Sequence, residues 1–113
     1  MTFSEVQATM YRNGLIDERK RVVFGVMACY QGEFSCIAGL KGSTLRIFKS
    51  DSSMKIGDLR MEFAIPSLNV TKTRTFALSP KIEFEYGGKK YTLTRFGSAK
   101  EFVSVFMKEH DKQ

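Results

Sequence analysis

The chain has 113 residues, of which 42% are hydrophobic and 12% aromatic, and its formal net charge is +6. This length suits one domain, residues 1–113, with a single core, and the apolar content excludes an intrinsically disordered chain. The longest apolar stretch, Val22 to Tyr30, is interrupted by Gly25 and is less than half as long as the roughly 20 residues of a membrane-spanning helix.

The first predicted element is a helix over about residues 3–13. Thr2 and Glu5 have the spacing of a capping box, and an apolar stripe follows at helical intervals. Such a stripe must be covered, either by another chain or by the chain's own core. Its members are therefore candidates for a partner or oligomer interface: Phe3, Val6 and Met10. No basic segment precedes an apolar run here, so we expect no signal peptide and a cytoplasmic location.

The sequence over about residues 20–96 predicts a barrel of about seven strands. The hydrophobic period changes to two after Val22, and β-branched and aromatic residues become frequent. The segment "LRMEFAI" is the clearest strand, because one face carries only apolar residues (Leu59, Met61, Phe63 and Ile65) and the other face carries charges. A strand "LNVTKTR" follows, and then Phe76–Leu78 with a Ser79–Pro80 turn.

The segment "CYQGEFSC" predicts a hairpin between the first two strands. With Gly32 and Glu33 as the central residues of a type II′ turn, Cys29 lies opposite Cys36. The distance across such a pair permits a disulfide, whereas a reducing cytoplasm favours two free core thiols. A zinc site would need a second pair of ligands that the spacing lacks.

The segment "YGGKKYT" raises the choice between a phosphate-binding loop and a tight turn. The phosphate-loop pattern ending at Gly88 would need glycine at position 83 and serine or threonine at position 90, where the chain has Glu83 and Lys90. A hairpin with Gly87 and Gly88 at its tip pairs apolar residues with apolar ones and acids with bases. We therefore predict the register Ile82–Leu93, Phe84–Tyr91 and Glu85–Lys90.

The last predicted element is an amphipathic helix over about residues 98–110. Ser98 and Glu101 form a second capping box, and apolar residues recur at helical spacing, namely Ala99, Phe102, Val103 and Phe106. The only histidine, His110, is expected to be exposed in the last turn of this helix.

This order of elements resembles the pleckstrin-homology-like (PH-like) fold, and in particular the bacterial PH-like domains, which are related to GRAM domains. The segments that carry the resemblance are "GSTLRIF", "AIPSLNV" and "IEFEYGGKKYTLTRFGSAKEFVSVF", and it extends over about residues 16–108. The resemblance implies a mainly β architecture: a bent antiparallel sheet plugged by Phe102, Val103 and Phe106 of the closing helix. It also implies a non-enzymatic binding or scaffolding role, since members of the superfamily bind phosphoinositides, peptides or proteins.

The charge distribution points to one part of the chain. The excess of basic residues lies wholly in residues 41–97, which suits either an anionic partner or simply a solvated surface. The loop between the first two strands, where the family places its phosphoinositide-binding cations, contains Glu33 and no lysine or arginine. Other cations would then bind an anionic ligand, or would only protect strand edges and turns. These candidates are Lys72, Arg74, Lys89 and Lys90.

The leading functional prediction is a module that binds a protein or peptide partner or associates with itself. The alternative is peripheral attachment to an anionic membrane through basic residues. Nucleic-acid binding is disfavoured, because stacking needs exposed aromatic rings and Phe63, Phe84 and Tyr91 fall on predicted core faces. We expect no enzymatic activity, small-molecule substrate, cofactor or metal site, since no catalytic set or ligand cluster has a recognisable spacing.

Overall fold

The computed structural model describes residues 2–75, 80–97 and 99–112. Two helices and seven strands follow one another in the predicted order, with a short 3₁₀ helix, Ile65–Ser67, after the fourth strand. The predicted Phe76–Leu78 segment with Ser79, and the predicted cap Ser98, lie outside the described residues. The elements are α1 Phe3–Arg12, β1 Val22–Cys29, β2 Gly32–Lys41, β3 Thr44–Lys49, β4 Leu59–Ala64, β5 Asn69–Arg74, β6 Lys81–Tyr86, β7 Lys89–Thr94 and α2 Ala99–His110.

The strands form one antiparallel sheet in the order β4-β3-β2-β1-β7-β6-β5, so that β4 and β5 are its edges. The sheet curls until its two halves face each other. The ring of Phe63 on β4 lies 5.0 Å from that of Phe84 on β6 and 5.1 Å from that of Tyr91 on β7, between ring centroids. These edge-on contacts between opposite walls form the centre of the barrel core.

Helix α2 closes this core as the sequence predicts. Phe102, Val103 and Phe106 are buried among the barrel residues, and the rings of Phe106 and Phe84 lie 6.4 Å apart. The helix also contacts β1 and the 3₁₀ helix. His110 is less exposed than predicted, because its Nε2 lies 2.9 Å from the carbonyl oxygen of Leu68 and only 21% of its side chain is accessible. The last turn of α2 is thereby joined to the chain just before β5.

Helix α1 packs on the outer face of the sheet, and its capping box between Thr2 and Glu5 is confirmed. Val6 and Met10 are 1% and 0% exposed and belong to a second apolar cluster with residues of β1, β2 and β3. The chain's own sheet therefore covers these two members of the predicted interface, and of the three only Phe3 remains partly accessible. Gly39 allows this close approach, since a Cβ there would come within 2.9 Å of Met10 Cε.

The predicted register of the β1–β2 hairpin is wrong, because the turn lies two residues earlier than predicted and the partner of each β1 residue is therefore shifted by four. Cys29 pairs with Gly32, and Cys36 pairs with Gly25, so the two cysteines are not opposite each other and both are free. The turn consists of Tyr30 and Gln31, and Gly32 follows it with φ of +114°, a conformation that favours glycine. The glycine is thus the first residue of β2 and is not one of the two turn residues.

The two thiols should differ sharply in reactivity. Burial raises the pKa of Cys36 to about 12, whereas Cys29 is partly exposed at the end of β1. Because the thiolate is the reactive form, we expect iodoacetamide at pH 8 to add one adduct to the native chain, at Cys29. Intact-mass and peptide mass spectrometry would show it, and denaturant should expose the second site. Rapid native labelling of Cys36 would contradict the burial of its thiol.

Candidate functional site

The first feature of the site is a cavity of about 300 Å³ where the β1–β2 hairpin faces the end of β3 and the start of β4. Its walls combine polar and apolar side chains from all four strands and the intervening turn. The lining residues are Cys29, Gln31, Gly32, Glu33, Phe34, Lys49, Arg60 and Met61. We call this cavity, together with the adjoining Tyr30 and Lys89, the mouth.

A β-bulge brings Arg60 to the mouth. Ile47 pairs with Met61 and Phe48 pairs with Leu59, so Arg60 is an extra residue in β4. A bulge bends its strand and changes the direction of the side chains near it. Arg60 consequently shares a cavity with Met61 and Lys49. Leu59 does not join the buried face of β4 as predicted, since it is 48% exposed.

The tip of the β6–β7 hairpin lies beside the β1–β2 turn. Gly87 and Gly88 have φ of +59° and +77°, which fits a type I′ turn, and the predicted register of this hairpin is confirmed. Lys89 Nζ lies 3.8 Å from the centroid of the Tyr30 ring. This cation–π contact contributes about 0.5–1 kcal/mol at an exposed site, and it holds the two hairpin tips against each other.

The tyrosine of this contact and a second tyrosine near it are both exposed to solvent. Tyr30 is 59% exposed and Tyr86, which pairs with Lys89, is 47% exposed. A second cavity of about 310 Å³ lies between the end of β1 and β7, lined by Ala28, Cys29, Tyr30, Lys90 and Thr92. Cys29 therefore lines both cavities, and Tyr30 lines the second cavity and contacts Lys89.

Comparison with solved structures gives a match to a chain described as a PH domain from TgAPH. The TM-score is 0.57 at 11% sequence identity, and the alignment covers 99% of this chain and 100% of that chain. The fold is PH-like. No protein-family model matches the sequence, and no curated protein matches it.

The PH-like sheet does not bring the four predicted cations into one group. Lys72 and Lys90 flank Glu83: Lys72 is opposite Glu83 in the β5–β6 register, and Lys90 Nζ lies 3.5 Å from Glu83 Oε1. Arg74, two residues beyond Lys72 at the end of β5, lies opposite Lys81. Lys89 is turned toward Tyr30 instead.

Glu83 lowers the positive charge of this face of the PH-like sheet. The hydroxyl of Thr71 donates a hydrogen bond to Glu83 Oε2 at 2.9 Å, and this bond, with the nearby charge of Lys90, holds the pKa of Glu83 below its usual value. The carboxylate therefore stays ionised at neutral pH, between two of the cations that sequence reasoning grouped together.

Sequence reasoning missed Lys49, Arg60 and Tyr30. Lys49 and Arg60 are eleven positions apart, and only the curl of the sheet and the bulge bring them to one cavity. The exposure of Tyr30 follows from the true position of the turn, which the pattern placed two residues later. No local signal in the sequence identifies the bulge.

The described residues include no group of three or more histidine, cysteine or acidic side chains that could hold a metal ion. No helix within the described ranges is both long and apolar enough to cross a membrane. The side chain of His110, at the end of α2, contacts the carbonyl oxygen of Leu68, and His110 is not among the residues that line the mouth.

Proposed function

We propose that this chain is a non-enzymatic PH-like module, of the bacterial type that its sequence resembles, which binds a protein or peptide partner through the mouth. PH-like domains commonly bind proteins or lipids. The observation that carries the proposal is the pair of exposed tyrosines, Tyr30 and Tyr86, on neighbouring hairpins beside a cavity with a partly apolar lining. A cytoplasmic location accords with this role.

The composition of the mouth is that of a protein interface. Tyrosine, methionine and arginine are enriched in such interfaces, and Tyr30, Met61 and Arg60 occur here together. A tyrosine ring supplies a large contact area with few rotatable bonds, so that little conformational entropy is lost on binding. The contact with Lys89 further restricts the motion of the Tyr30 ring in the unbound chain.

Site-specific photo-cross-linking tests this proposal. With p-benzoylphenylalanine in place of Tyr30 or Tyr86, we expect ultraviolet light to join the chain in cells to the same protein from both positions. Tyr11 is the matched control, because it is 49% exposed but lies on α1. Mass spectrometry would identify the adducts. Equal adducts from all three positions, or none from Tyr30 and Tyr86, would contradict a partner at this surface.

Peripheral binding to an anionic membrane is the second candidate, favoured by the two cations at the cavity and by Lys89 and Lys90 on the adjoining hairpin. Each basic residue near such a surface contributes about 1 kcal/mol, enough for weak and salt-sensitive binding by four. The two candidates separate in one comparison. Lipid adducts from Tyr30 and Tyr86, with co-sedimentation on phosphatidylserine liposomes that Lys89→Glu with Lys90→Glu removes, would replace the protein partner with the membrane.

A further inference from the structure

A groove of about 480 Å³ runs along the outer face of α2, separate from the mouth. Its lining is a helical stripe together with one arginine from the segment before β1, namely Arg21, Lys100, Glu101, Ser104, Val105 and Lys108. None of these residues lines the mouth, so binding at this groove would be independent of the function proposed for the mouth.

The charges of the groove are arranged in two classes. Arg21 is already engaged, since its Nη1 lies 3.3 Å from Glu18 Oε1 and 3.8 Å from Glu101 Oε1. Lys100 and Lys108 are exposed, and neither forms an ion pair with a carboxylate in the described part of the chain. The groove therefore has the ion pair of Arg21 with Glu101 on its side and two available cations, one toward each end.

The geometry between these two lysines is fixed by the helix. They are eight positions apart, which is about 12 Å along the axis at a rise of about 1.5 Å per residue. Between them lie Ser104 and the half-buried Val105, which packs against the barrel core and leaves part of its side chain at the floor of the groove. The pattern along the groove is thus cation, small polar and apolar side chains, cation.

An extended peptide has a matching pattern. Residues 1, 3 and 5 of a strand point to the same side, and residues 1 and 5 are about 13 Å apart. Carboxylates at positions 1 and 5 would meet Lys100 and Lys108, and an apolar side chain at position 3 would lie over Val105. The positive N-terminal end of the α2 dipole, next to Lys100, further favours the first carboxylate.

We propose that the outer groove of α2 docks an extended acidic segment of another protein, with acidic residues at positions 1 and 5 around an apolar residue at position 3. Charge complementarity selects this partner, because basic or neutral segments leave both lysines without a counter-charge. The contacts are exposed, so the affinity is low and depends on ionic strength.

The test is a titration of the whole ¹⁵N-labelled chain with the peptide Gly-Asp-Ser-Leu-Ser-Asp-Gly, acetylated and amidated, in low salt. We expect saturable shifts of amide resonances confined to α2 and Arg21, with a Kd on the order of 1 mM. The control peptide, Gly-Asp-Asp-Ser-Leu-Ser-Gly, has the same composition and charge with the two carboxylates adjacent. We expect it to bind several-fold more weakly.

Charge reversal makes the result specific to the two lysines. Lys100→Glu with Lys108→Glu should weaken the spaced peptide at least about tenfold, because two attractions become repulsions, and should create binding for Gly-Lys-Ser-Leu-Ser-Lys-Gly. Lys89→Glu at the mouth should leave the affinities of both acidic peptides unchanged. Equal binding of the two acidic peptides, no binding in low salt, or loss of binding on Lys89→Glu instead would each overturn the proposal. The last result would leave the mouth as the binding surface.

Discussion

Replacing Phe84 by alanine is expected to lower the free energy of unfolding by about 3–5 kcal/mol, the range for removing a fully buried aromatic ring. Phe84 is 0% exposed, and its ring has neighbours on two other strands and on the closing helix. Its ring lies 5.0 Å from Phe63 on β4, 5.5 Å from Tyr91 on β7 and 6.4 Å from Phe106 on α2. None of these neighbours can fill the space without leaving its own contacts, so a cavity remains.

Urea denaturation followed by circular dichroism measures this effect, provided that the transition stays cooperative. Tyr86→Ala is the matched control on the same strand. Its ring is about half exposed and has a contact of 5.7 Å with Phe63, so we expect a loss of no more than about 1 kcal/mol. A Phe84→Ala variant as stable as the Tyr86→Ala variant would show that the barrel core is not organised around this ring.

Replacing Gly25 by alanine is expected to destabilise the protein by about 1–3 kcal/mol, although it adds a single methyl group to an apolar strand. A Cβ at Gly25 would lie 2.7 Å from the carbonyl oxygen of Thr94 and 3.1 Å from Phe96 Cβ. The first of these atoms belongs to the backbone of β7, where the strand pairs with β1. The clash therefore has to separate the two strands that join the halves of the sheet.

Two other glycines provide controls for Gly25→Ala. A methyl group at Gly97 would meet no atom within 4 Å beyond its chain neighbours, and the φ of Gly97 is not left-handed, so Gly97→Ala should leave the stability unchanged. At Gly39 the nearest atoms, Met10 Cε and Ile16 Cγ2, are ends of side chains that can move, and an intermediate loss is expected. Hydrogen exchange should locate the Gly25→Ala effect at the amides of Val26 and Thr94, which pair across the junction of β1 and β7. Protection there equal to that of the parent chain would contradict the strand separation.

The mouth and the α2 groove use different residues and suit different partners. The mouth presents exposed rings beside a partly apolar cavity, which favours a shaped protein surface. The groove presents two separated cations on a helix, which favours an extended acidic segment. One chain with both surfaces could hold two segments of one partner, and joining two weak sites in this way raises the overall affinity without new contacts.

Most of the secondary structure was predictable from the sequence because its signals are local. The capping box at Thr2, the glycine pair of the β6–β7 hairpin and the apolar stripe of α2 each depend on residues a few positions apart. The β1–β2 hairpin shows the limit of such signals. A glycine with positive φ fits either inside a turn or just after it, and Gly32 occupies the second position.

By itself, the sequence determined the order of helices and strands and, except at Leu59, the faces that become the core, because hydrophobic periodicity records which side of each element avoids water. The closure of the barrel by Phe102, Val103 and Phe106 was implied by the resemblance to the PH-like fold, and the structure confirms it. Only the tertiary structure decided the sites. The bulge at Arg60, the contact of Lys89 with Tyr30 and the ion pair of Lys90 with Glu83 join residues from different strands. Their positions depend on the curl and register of the whole sheet, which are set by the sum of many distant contacts rather than by any short segment.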